Sequence, residues 1–342
     1  MRLFALHSSP AVVFAALALL AALPTGPTAP PRYSFSQFET FAGQPNLWEL
    51  RRDQFPKNTF FNWVSDRQDC TRWPAYSNSP AITFLGMKCY EVLLRFGQER
   101  IEQIELYLYS RGDAGEIRDP KVFAAKVAEI QRIITGWAGG QPGSPLPDEK
   151  LVRGMVTKGQ RWVRENRTNV TLHWSISEKI KAPTPDGSIE RIPFRAEFIL
   201  LTLTPAAGAV LINPPKQPDS SGSASKQEAK RRVQRDADGF TFIDGIPMVD
   251  QGQKGYCVVA TAERIIRYYG VELSQHDFAQ LASSLPRGTG QGGMGGTYMN
   301  QFELMFDKID NKIKIKCERL AEIGLDTLID QYNRQAKREG RP

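Results

Sequence analysis

The stretch Gln251-Gly-Gln-Lys-Gly-Tyr-Cys257-Val-Val-Ala260 decides how this chain is read. Downstream of it, apolar or aromatic residues fall at 258, 259, 262, 265, 266 and 269, the spacing of one helical face. A helix is therefore predicted over Val258–Tyr269, with Cys257 at its start. Unpaired backbone N–H groups and the positive end of the helix dipole face a cysteine placed there. Both favour the thiolate, which is the nucleophilic form. Gln251 lies six residues earlier, across a glycine-containing turn. From there its amide has the reach to donate a hydrogen bond to an oxyanion formed on a carbonyl that the sulfur attacks. Tyr256 either packs under the helix or walls a cleft.

The Gln-x5-Cys spacing resembles that of papain-like cysteine peptidases. The nearer likeness is to the bacterial branch of bacteriocin-processing peptidases, the cysteine-peptidase family numbered thirty-nine. It rests on Ile246-Pro-Met-Val-Asp-Gln251, on Tyr268-Tyr-Gly270 and on Ser274-Gln-His-Asp-Phe-Ala-Gln-Leu281. The segment Gly292-Gly-Met-Gly-Gly-Thr-Tyr-Met-Asn300 resembles the glycine-rich loop lining the family's substrate cleft. The resemblance covers roughly residues 242 to 330. It implies Cys257 and Gln251 as catalytic residues, Gly295 and Gly296 as substrate-binding residues, and a peptide or protein substrate. It also calls for a histidine well downstream of the cysteine, followed by an Asp or Asn that orients it. The histidines here are His7, His173 and His276, and none follows His276. His276 opens a second helix in Ser-Gln-His-Asp, and His173 lies far upstream. The expectation is a peptidase-like domain that holds the nucleophile's lobe without the base's lobe, a truncated domain with little activity as written.

Length and composition set the frame. A chain of 342 residues with 41% hydrophobic and 24% charged residues suffices for more than one packed core. The net charge of +7 is spread along the chain, and the one dense basic run, Lys226–Arg235, is interrupted by Gln, Glu, Ala and Val. With no nucleic-acid-binding motif beside it, a nucleic-acid partner is not expected. Arg2, the apolar run Ala11–Leu23 and the proline-rich Pro24–Pro31 read as an export signal. That run is short for a bilayer span. A periplasmic or extracellular protein is expected, with residues 1–31 as either a cleaved signal or an uncleaved membrane anchor. Cys70 and Cys89 either pair as a disulfide or stay as buried thiols, and Cys317 is expected to be free. No Cys/His cluster has metal-ligand spacing, and neither a metal nor another cofactor is expected.

The fold class expected is α+β. An N-terminal α+β domain is placed at 33–213, a disordered linker at 214–238, and the peptidase-like domain at 239–342. In the first domain, Ala81–Tyr90 and Ile101–Tyr109 read as strands joined by a turn at Gly97–Arg100. Asp119-Pro120 opens a helix running to Ile134 and ending near Gly136. Arg161–Lys179 and Arg191–Leu203 read as two further strands. Trp48, Phe60, Phe61, Trp63 and Trp73 read as core. The functional expectation is an exported cysteine peptidase-like protein. The alternative is a non-catalytic peptide- or protein-binding module built on a degenerate peptidase fold.

Overall fold

Period-two alternation of apolar and polar residues builds a single antiparallel sheet from the first part of the chain. The computed structural model describes residues 35–55, 61–64, 68–74, 79–97, 99–183, 189–206, 231–251, 256–269, 271, 273–282, 305–306, 309 and 325–340. Residues 34–342 form one compact unit. The strands are β1 (Asn62–Trp63), β2 (Cys70–Trp73), β3 (Thr83–Phe84), β4 (Met87–Lys88), β5 (Glu91–Gly97) and β6 (Arg100–Ser110). They continue as β7 (Ser144–Val152), β8 (Met155–Arg164), β9 (Thr168–Pro183) and β10 (Ile189–Pro205). Eight of these make a sheet in the order β1-β2-β5-β6-β10-β9-β8-β7, while β3 and β4 form a separate hairpin. With helices α1 (Phe38–Ala42), α2 (Arg111–Ala114) and α3 (Pro120–Trp137), the architecture is α+β.

The two faces of the sheet differ in chemistry. One carries Val92, Leu94, Ile104, Leu106, Leu172 and Leu201, all buried. It packs under α3, whose buried stripe is Phe123, Val127, Ile130 and Ile134. Phe35, Phe38, Phe41, Phe55 and Phe61 form an aromatic cluster with ring centroids 5.1–6.4 Å apart. Of the expected core aromatics, Trp48, Phe61 and Trp73 are buried, Trp63 is half-buried and Phe60 lies outside the described residues. Each buried side chain contributes about 1.5–3 kcal/mol by leaving water. The opposite face carries Arg72, Glu91, Glu105, Ser175, Ser177, Arg195 and Glu197, also buried.

Two helices lie over this polar face, α4 (Cys257–Tyr268) and α5 (Gln275–Leu281). Gln280 of α5 crosses to the sheet, donating to Ile176 O and Ser177 Oγ at 3.0 Å and accepting from Ser175 Oγ at 2.9 Å. Glu263 of α4 accepts the Gln275 backbone N–H at 2.7 Å and fastens the two helices together. Within the sheet, Glu197 accepts from Arg111 Nε at 3.0 Å, Arg195 Nε at 2.8 Å and Ser177 Oγ at 2.7 Å. Burial pushes the Glu197 carboxyl up, yet the two guanidiniums and Ser177 hold it below its ordinary 4.5. The helix pair has an apolar core of its own, with Val259, Ala262 and Ile266 against Phe278, Met305 and Phe306. No described helix is long and apolar enough to cross a membrane.

Several expected elements shift. The strand expected at Ala81–Tyr90 is the β3–β4 hairpin, because Leu85 (φ 52°) and Gly86 (φ 77°) turn the chain. The long strand falls on Glu91–Gly97 instead, and its turn into β6 lies where Gly97–Arg100 was read. The strand expected at Arg161–Lys179 is two, β8 and β9, turning at Glu165 (φ 51°) and Asn166 (φ 53°). Asp119 caps α3 by accepting the Lys121 N–H at 2.8 Å. That helix runs past Gly136 to Trp137, whose ring is held by Phe84 and the Arg164 guanidinium. Of the expected linker, 214–230 lie outside the described residues. Val233–Arg235 form β11, paired with β12 (Thr241–Ile243). Residues 1–34, with the expected signal or anchor, also lie outside the described residues.

Replacing Glu197 by Leu leaves Arg111 and Arg195 buried without their carboxylate, and should cost about 3–5 kcal/mol in urea unfolding. The polar face also gives stability a pH signature. Burial raises the Glu263 and Asp277 carboxyls above their ordinary 4.5 and 3.8. Their contribution is present at low pH and is lost as pH rises through the raised values. The depressed Glu197 contributes above 4.5 and loses that as pH falls through its lowered value. Stability should therefore decline as pH rises above the ordinary carboxyl values and through the raised ones, and less so in Glu263→Gln. Equal pH slopes for the two proteins would overturn this account.

Candidate active site

Cys257 is the first residue of α4, and its side chain is exposed. The helix starts where expected because Val258, Val259, Ala262 and Ile266 supply one apolar stripe for the helix-pair core. Tyr256 precedes it as the N-cap residue and makes no side-chain cap, so the first-turn N–H groups are not covered from that side. Thr261 Oγ1 donates to the Cys257 carbonyl at 2.8 Å, and no described side chain bonds the sulfur. Cys70 and Cys89 are buried free thiols, not a disulfide. Burial pushes both up to about 12. Cys257 is thus the one described thiol open to a substrate.

Tyr256 packs under the helix: it is buried, and its hydroxyl lies against Gly112. A Cβ on Gly112 would stand 2.7 Å from that hydroxyl, so only glycine admits the contact. Gln251 is exposed, and residues 252–255 between it and Tyr256 lie outside the described residues. The residue before it is anchored on both sides. Asp250 accepts from Gln275 Nε2 through its carbonyl at 3.2 Å, and its carboxylate stands 3.5 Å from Arg72 Nη1. Gly295, Gly296 and Cys317 lie outside the described residues.

The histidines are placed elsewhere. His276, second residue of α5, is buried with its ring 4.1 Å from the Tyr107 ring and 5.7 Å from that of Tyr256. Its Nε2 is 3.4 Å from Glu91 Oε2, and Glu91 in turn accepts from Arg72 Nε at 2.9 Å. A chain Arg72–Glu91–His276 thus pins α5 to strands β2 and β5. The second-helix reading holds: Ser274 and Asp277 form a capping box at the start of α5. His173 sits on β9, half-buried across Gly159 of β8, in a cavity that Cys257 does not line. Among the described residues, no group of three or more His, Cys, Asp or Glu is placed to hold a metal.

Arg72, Glu91 and Asp250 escape a sequence reading. Glu91 and Arg95, four residues apart in Glu91-Val-Leu-Leu-Arg95, fall on one strand face that reads as wet, and the covering helices make it dry. The chain matches no protein-family model, no curated protein and no solved structure.

His276→Ala is expected to destabilise the fold by about 2–4 kcal/mol, through lost ring packing and loss of the Glu91–His276 link. It should leave the alkylation rate of Cys257 within about twofold of wild type, since a positioning role for the helix needs no proton transfer. A thiol that loses its reactivity in this variant, with the fold intact by circular dichroism, would make His276 the base.

Proposed function

We propose that this chain is an exported cysteine peptidase-like protein built on the nucleophile-bearing lobe of a papain-like fold. Cys257 is its nucleophile and Gln251 its oxyanion donor. The observation that carries the reading is the exposure of Cys257 at the first turn of α4, while Cys70 and Cys89 are buried. In this reading the sulfur attacks a peptide carbonyl carbon and the C=O pair moves onto oxygen. The Gln251 amide and the Cys257 N–H hold that charge. Collapse to the acyl-enzyme expels the amine, which must be given a proton.

Neither described histidine faces the sulfur, so among the described residues no side chain is assigned to carry that proton, which leaves water. General acid–base assistance is typically worth about 10²–10⁴-fold. Peptide cleavage by this polypeptide should therefore be slow or absent even where the thiol is reactive. A second reading, a peptide- or protein-binding module without turnover, is favoured by the commitment of His276 to Glu91 and Tyr107.

Iodoacetamide labelling of the protein, read by mass spectrometry across pH, tests the first reading, with Cys257→Ala and Cys317→Ala as controls. Cys257 should be modified faster than glutathione at the same pH in the native protein. Cys70 and Cys89 should react only after unfolding. A Cys257 that reacts no faster than glutathione would overturn the nucleophile assignment. Retained binding of an extended peptide by Cys257→Ala, with no acyl-enzyme in the wild type, would instead establish the second reading.

A further inference from the structure

A cavity of about 320 Å³ opens between the polar face of the sheet and helices α4 and α5. Its size is at the lower end of small-molecule pockets. Tyr107 and Phe198 line it from the sheet and Leu273 from the segment before α5. Two ion pairs stand in its walls and consume both arginines. Arg95 Nε is 2.6 Å from Glu105 Oε1 within the sheet, and Arg267 Nη1 is 3.2 Å from Glu263 Oε1 within α4. Two further carboxylates line the cavity, Glu149 from β7 and Asp277 from α5, with no cation paired to either among the described residues. Asp277 uses Oδ2 to accept the Ser274 N–H and hydroxyl, at 2.9 and 2.8 Å.

The imidazole of His173 lines the same space. It lies over Gly159, where a Cβ would stand 2.9 Å from its Cδ2, so the missing side chain makes the room that the ring occupies. No described residue hydrogen-bonds it. Burial lowers its pKa and outweighs the pull of Glu149 and Asp277 in the other direction, which leaves a neutral ring with one acceptor nitrogen. With both arginines already paired, the cavity offers two carboxylates, an acceptor nitrogen and an aromatic wall.

We propose that this cavity is a binding site for a small organic cation, a primary amine or a guanidinium, held by Glu149, Asp277 and His173. Charge-assisted hydrogen bonds run from the N–H groups to the two carboxylates and the imidazole, and the methylenes lie against Phe198 and Tyr107. A metal ion is the poorer occupant, because no described group of three or more His, Cys, Asp or Glu is placed to hold one. The cation is either a free amine or the side chain of a lysine or arginine in a peptide, and the two share the same head-group chemistry.

Calorimetric titration of the full chain with n-butylamine, n-butylguanidine and a blocked Ala-Lys-Ala tripeptide tests this, with butyrate and n-butanol as controls. The imidazole resonances are followed in parallel by NMR, which the three histidines of the chain make assignable. Saturation by a cation, with dissociation constants on the order of 1 mM, and a shift of the His173 resonance are expected. The tighter of free amine and tripeptide identifies the source. Glu149→Gln, at an exposed position, and Asp277→Asn, which keeps a carbonyl for the Ser274 cap, should each weaken binding on the order of tenfold. Equal binding of butanol or butyrate would overturn the proposal. So would cation binding that leaves the His173 resonance still, or that both variants retain in full.

Discussion

The charged face of the sheet sets the terms for the rest of the molecule, because two helices cover it and charge taken from water must be paired where it is buried. Glu197 meets this need inside the sheet through Arg111, Arg195 and Ser177. Glu91 meets it across layers, with Arg72 on one side and His276 on the other. Gln280 does the same with neutral groups, satisfying Ser175, Ser177 and the Ile176 carbonyl at once. These crossings admit one placement of α5, and Glu263 passes that placement on to α4 through the Gln275 N–H. Where Cys257 stands is thus a consequence of how polar groups beneath the helices are paired. Apolar packing alone tolerates rotation of a helix about its stripe; a set of directional bonds does not.

The parts of the fold legible in the sequence are those fixed by local rules. The α4 periodicity, the second helix opening at Ser-Gln-His-Asp and the Asp119-Pro120 helix start depend on neighbours within one or two turns, and each matches its sequence expectation. The strands were harder, because alternation continues smoothly across a tight turn. Nothing in the pattern of Arg161–Lys179 distinguishes one long strand from two joined at Glu165-Asn166, since positive φ at non-glycine residues leaves little trace in composition. The polar face was illegible for a different reason. Charged residues such as Glu91, Arg95 and Glu105 in β5 and β6 have the character of a solvated face, and their burial depends on helices more than 140 positions later in the chain. Of the candidate site, the exposed thiol at the helix start was readable from spacing. The anchoring of Asp250 by Arg72 and Gln275 was not, because it joins three segments distant in sequence.

The same pairing logic bears on catalysis. A histidine acting as general base must alternate between neutral and charged forms beside the thiol, with its ring facing the reacting atoms. His276 lies against the Tyr107 ring and beside Glu91, on the helix that follows α4. Moving it toward the sulfur would break the link to Glu91 that seats α5. The fold therefore uses this imidazole as a structural cross-link.

A last consequence concerns why the interface is closed at some points and open at others. Bonds that cross between layers draw them together, as at Glu91–His276 and at Gln280 with the two serines. Beside them, Arg95 is satisfied by Glu105 within the sheet, and Arg267 by Glu263 within its own helix. Charges neutralised inside one layer gain little by reaching across and would lose hydration in closing the gap. The layers therefore stand apart there, and the cavity forms beside the tightest contacts. Its place follows from the partition of ion pairs between the two layers. A cavity lined by an excess of carboxylate, beside a neutral imidazole, is costly to fill with hydrocarbon and favourable to fill with a cation.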